Sequence, residues 1–95
     1  MAEVRVHYRW PNGVESSSYA PSNVVRKHVE ADRAYTVTDF TQRMLTALDL
    51  ASDRVRQHFG HRCSIADRDA QRLREEASVF DAQASVHVTE LEAIS

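Results

Sequence analysis

The sequence predicts an α+β fold: a two-layer sandwich in which a three-stranded sheet, antiparallel or mixed, is covered on one face by three to four helices. Three observations predict it. Val4, Val6, Tyr8 and Trp10 alternate with Arg5, His7 and Arg9, the period-two signature of a strand with one buried face. Asn12-Gly13 follows at once, and Asn-Gly is a strong hairpin signal because a type I′ turn needs positive φ at both central positions. Further on, Phe40, Met44, Leu45 and Leu48, then Ala66, Ala70, Leu73 and Ala77, recur at helical spacing.

A two-residue loop at Asn12-Gly13 sets the hairpin register. Trp10 then faces Glu15, Tyr8 faces Ser17 and Val6 faces Tyr19, so Tyr19 joins the apolar side with Tyr8 and Trp10. Arg9 with Ser16, and His7 with Ser18, fall on the polar side. Residues 14–20 read as an edge strand, ended by Pro21. Ser22 caps a short helix over residues 23–29 that buries Val24, Val25 and Val29. Residues 31–34 read as a loop, with Tyr35 and Val37 anchoring an extended piece. Thr38 or Asp39 caps the next helix. Ser52-Asp53 is itself a cap signal, so a break is expected at residues 49–52. Gly60 ends that helical region in the left-handed conformation.

Ser64-Ile65-Ala66-Asp67 resembles a capping box with Asp in the last position. It opens a helix from 65 to about 79, with Arg68, Arg72, Arg74, Glu75 and Glu76 on its wet face. Ala84, Val86 and Val88 alternate with Ser85, His87 and Thr89, giving a third strand, expected beside the first. Residues 90–95 read as a loose tail, and residues 1–95 as a single domain.

Composition narrows the function classes. The 95 residues carry 12 basic and 14 acidic side chains, a formal net charge of −2. Nucleic-acid binding favours a basic surplus, so none is expected. No apolar run is long enough to span a membrane, and the first residues lack a signal-peptide core. Cys63 is the single cysteine, which excludes an intramolecular disulfide. With Gly13 and Gly60 the only glycines, there is no Gly-rich phosphate loop.

Several segments together carry a family likeness. They are Val6-His7-Tyr8-Arg9-Trp10-Pro11-Asn12-Gly13, Tyr19-Ala20-Pro21-Ser22 with Val24-Val25, and Asp39-Phe40 with Ala47-Leu48. Ala51-Ser52-Asp53-Arg54-Val55-Arg56 with Gly60 and Cys63 completes the set. This set resembles a family of small bacterial proteins described as nitrogen-starvation response proteins, whose genes accompany a nitrilase in clusters linked to nitrile or cyanide nitrogen use. The resemblance implies a cytoplasmic protein and a pathway, and names no catalytic residue.

The candidate chemistry is sparse. Arg5, His7, Arg9 and His87 share the polar sheet face and are the expected binding residues, for a protein partner, a second copy or a small anion. Cys63 lies near a helix N-terminus, beside Arg62 and close to His61, a setting in which a thiol can act as a nucleophile or redox sensor. The alternative is a small hydrophobe filling the corner between two helices. With His61 or His58, Cys63 is the weak candidate for catalysis; His58, His61 and Cys63 are the weak candidate for metal binding. No cofactor is implied. The expectation is a non-catalytic interaction protein of the nitrilase-linked nitrogen response, and a small Cys63 enzyme or a small-anion sensor is the alternative.

Overall fold

The computed structural model describes residues 2–94. Its elements are β1 (Val4–Arg9), β2 (Glu15–Ala20), a short 3-10 helix (Asn23–Lys27), β3 (Arg33–Thr36), α1 (Val37–Phe59), α2 (Ser64–Ala77) and β4 (Ser85–Ala93). The strands form one antiparallel sheet in the order β2-β1-β4-β3. The α+β layering is as expected, and the last strand does lie beside the first. The counts differ: four strands instead of three, and two α-helices with a 3-10 helix instead of three to four helices. No helix is long and apolar enough to cross a membrane among the described residues.

The extra strand is β3, part of which was expected to be loop. It pairs with Ser85 to Val88 of β4, and Tyr35 holds it there. The Tyr35 side chain is buried, its hydroxyl accepts the Glu30 N–H at 2.9 Å, and Arg33 and Arg43 place guanidiniums 5.5 and 5.1 Å from its ring centre. Such cation–π contacts favour the desolvated ring.

The hairpin loop has three residues, not two. Trp10 N–H donates to the Val14 carbonyl at 2.9 Å, and Gly13 N–H to the Trp10 carbonyl at 2.9 Å. Gly13 sits at φ 87, while Asn12 stays out of the left-handed region. Pro11 explains the choice. Its fixed φ suits the first central position of a type I turn, which Gly13 then closes with a bulge. The register becomes Tyr8 with Ser16, Val6 with Ser18 and Val4 with Ala20. A one-residue slip exchanges the faces of β2. Ser18 is therefore fully buried, with its Oγ 2.8 Å from the Tyr8 hydroxyl, and Tyr19 moves off the core side to stand opposite Arg5.

Helix α1 runs unbroken through the expected break. Its inner stripe is Val37, Phe40, Met44, Ala47, Leu48, Ala51 and Ser52. Ser52 is not a cap: buried in the seam with α2, its Oγ accepts the Cys63 N–H at 3.0 Å. Asp49 turns outward to Arg62 at 2.8 Å. Thr36 caps the start instead of Thr38 or Asp39, accepting the Asp39 N–H at 3.1 Å. Gly60 ends the helix at φ 85, as expected.

The tail expected to be loose is strand as far as Ala93. The β1–β4 register shifts by one between His7 and Tyr8, a bulge at Thr89. The bulge puts Leu91 opposite Val6 and Ala93 opposite Val4, with Glu90 and Glu92 on the other face. Without it both glutamates would enter the core.

That core is centred on aromatic rings. Tyr8 lies 4.9 Å from Phe40 and 5.4 Å from Trp10 between ring centres, and Phe80 stacks on Trp10 at 5.3 Å. Such contacts add about 0.5–1.5 kcal/mol each beyond burial.

Candidate functional site

With the helices packed on one face of the sheet, the other is open, and alternation decides what it carries. Cross-strand partners share a face. Three rows result: Glu15, Arg9, His87 and Ala34; Ser17, His7 and Glu90; Tyr19, Arg5 and Glu92. The four expected binding residues, Arg5, His7, Arg9 and His87, are thus gathered on this face. Ser16 and Ser18 are not, because of the hairpin register.

Carboxylates stand among the cations. His7 Nε2 lies 2.8 Å from Glu92 Oε1, Arg9 donates to Glu15 at 3.3 Å, and Arg5 donates to the Ser17 hydroxyl at 3.4 Å. Exposed pairs of this kind contribute only about 0–1 kcal/mol. Glu15, Glu90 and Glu92 are the residues that alternation alone missed. Pro11 was the available signal for the first, and the restart of the apolar pattern at Leu91 for the other two.

Cys63 occupies the turn between α1 and α2. It is half-buried and packs against the core. Its backbone, rather than its thiol, carries the local chemistry, through Ser52. The expected capping box is absent, because Cys63 is the N-cap and the Asp67 carboxylate is engaged by Arg62 at 3.0 Å. Arg62 thereby ties Asp49 of α1 to Asp67 of α2. That hydrogen bond is the main reason the Asp67 carboxyl is held below its ordinary range. Cys63 also lines a groove of about 240 Å³ with Glu3, Tyr19, Val55 and Phe59. There burial, then the nearby Glu3 carboxylate, push the Tyr19 hydroxyl up to about 12. His58 and His61 are exposed, and no group of three His, Cys, Asp or Glu side chains comes together as a metal site among the described residues. The trio His58, His61 and Cys63 is therefore not assembled.

The strongest polar constellation was expected to be wet surface. Arg72 of α2 donates to the Ser17 carbonyl and to the Ser16 hydroxyl, and pairs with Glu76 at 2.8 Å. Asp69 accepts the Tyr19 N–H at 2.7 Å. Glu76 accepts the Trp10 indole N–H at 2.7 Å. Helix α2 thus supplies partners to outward-facing backbone groups of β2, an edge strand, and so blunts that edge against pairing with another chain.

The family model described as nitrogen starvation-induced protein NitG matches residues 5–91. The chain belongs to the NitG family. No curated protein matches it, and no solved structure does. The NitG match begins at Arg5 and ends at Leu91. It therefore takes in all four expected binding residues, Cys63 and both helices, so the NitG-like part of the chain is essentially the whole fold.

Proposed function

We propose that this NitG-family chain serves the nitrogen-starvation response by binding a protein partner through its open sheet face, without catalysing a reaction itself. The observation that carries the reading is the mixed charge of that face. Arg5 and Arg9 alternate with Glu15, Glu90 and Glu92 across three strands. Interspersed charges of both signs favour a protein surface of complementary pattern, since they fix orientation and reject wrong partners. A lone anion would find His7 and Arg9 already paired with Glu92 and Glu15, so the small-anion reading is the weaker one. The partner is expected among the products encoded with a nitrilase, or is a second copy of the chain, and a cytoplasmic location belongs to this reading.

Affinity capture from nitrogen-starved cells tests it, with the chain and its Arg5→Glu/Arg9→Glu variant as baits. The expected result is a cluster-encoded protein, or the chain itself, held by the first bait and lost from the second at unchanged melting temperature. Equal recovery by both baits, or recovery of neither partner, overturns the proposal.

A further inference from the structure

We propose that the groove where the start of α1 meets the end of α2 binds a small carboxylate with an apolar body. The site lies in the helix layer and is independent of the open sheet face. Its volume is about 330 Å³, at the small end of the range for ligand pockets. Val37, Ala77, Phe80 and Ala82 give it an apolar wall, with Thr41 and Arg74 as the polar groups the argument needs.

Two independent features point to the class of ligand. The first is Thr41. Its Oγ1 is buried without a hydrogen-bond partner, the only side-chain atom of that kind among the described residues. A buried hydroxyl left unmet costs free energy. Thr41 lines the groove, where an oxygen on a ligand would complete its hydrogen bond.

The second is Arg74. Arg43, Arg56, Arg62 and Arg72, on or between the same two helices, are each held by a carboxylate. Arg54, Arg68 and Arg74 engage no carboxylate among the described residues, and of these Arg74 lines the groove. A free guanidinium presents its fork to a planar carboxylate, the strongest simple partner it has. An apolar wall with a single cation, its other polar lining groups (Thr38, Thr41, Gln42 and Ser78) being uncharged, matches a monocarboxylic acid better than a polyanionic ligand. Phe80, stacked on Trp10 at 5.3 Å, gives a flat wall against which an aromatic or short aliphatic body packs.

Titration of the full chain with benzoate, followed by amide NMR shifts, tests the site, with benzamide as the uncharged isostere. Saturable shifts are expected at Val37, Thr41, Ala77 and Phe80. Affinity is expected to fall about tenfold for benzamide, and equally for benzoate on the Arg74→Gln variant. Thr41→Val is expected to weaken binding a few-fold while the protein melts no earlier than the unmodified chain, which separates a ligand contact from a structural role. Three results overturn the proposal: no saturable shift at about 10 mM benzoate, equal affinity in Arg74→Gln, or shifts gathered at Arg5, Arg9 and His87 on the sheet face.

Discussion

The two faces of the sheet divide the side chains of the same strands, and they hold them by opposite means. The covered face packs Val4, Val6, Tyr8, Val86 and Val88 under the helices, all of them buried. The open face holds Arg5, His7 and Arg9 through single contacts to Ser17, Glu92 and Glu15. Burial acts on every atom of a side chain, whereas a wet ion pair loses to solvent most of what it gains. Stability therefore sits on one face, and the other is free to vary its chemistry.

Breaking the covered face should have the largest effect. Phe40→Ala removes a fully buried ring that contacts both Tyr8 and Trp10, and should cost about 3–5 kcal/mol. Urea unfolding followed by Trp10 fluorescence measures it, since Trp10 is the only tryptophan. Next comes the edge that joins the two faces. Arg72→Ala leaves Glu76 and Asp69 without their cation and the Ser17 carbonyl without its donor. A loss of about 1–2 kcal/mol is expected, with faster amide exchange in β2. Tyr8→Phe keeps the packing and deletes only the hydrogen bond to Ser18, so about 1 kcal/mol should be lost.

A smaller effect is expected at the α1–α2 turn, and it depends on pH. The Asp67 carboxyl is lowered, first by its hydrogen bond to Arg62. A group whose folded pKa lies below its unfolded one stabilises the fold at pH above the unfolded value, and loses that contribution as pH falls through the folded one. Melting temperature should therefore decline below about pH 4 less steeply in Asp67→Asn than in the unmodified chain. Smallest of all is Arg9→Gln on the open face, which should change stability by less than about 0.5 kcal/mol. A larger loss in equilibrium unfolding would show that the open face also carries the fold.

The same contrast explains what could be read from the sequence. Alternation in residues 4–10 and 84–89, with the two strands side by side, was sufficient to put Arg5, His7, Arg9 and His87 together, because period two is imposed by backbone geometry. The helical stripes were legible for the same reason. Registry was not, because it turned on single residues. Pro11 chose a three-residue loop and thereby moved Ser18 inward and Tyr19 outward. One bulged residue at Thr89 restored the apolar pattern at Leu91, where the alternation had seemed to end. Ser52 carried a cap signal that tertiary packing used for another purpose, binding the Cys63 backbone. Arg72 and Glu76 looked like wet-face charges, since nothing local to α2 announces that the edge of β2 lies beside it.

The pairing of β1 with β4 also bears on the order of events during synthesis. His7 meets Glu92 across 85 positions of chain, and β4 lies between β1 and β3 in the sheet. As the chain leaves the ribosome, the hairpin and both helices emerge before the strand that unites them. Until β4 arrives, β1 and β3 have no partner on their facing edges. Non-local closure of this kind is slow, so the sheet, and with it the open face, is completed only once the last strand has docked between the other two.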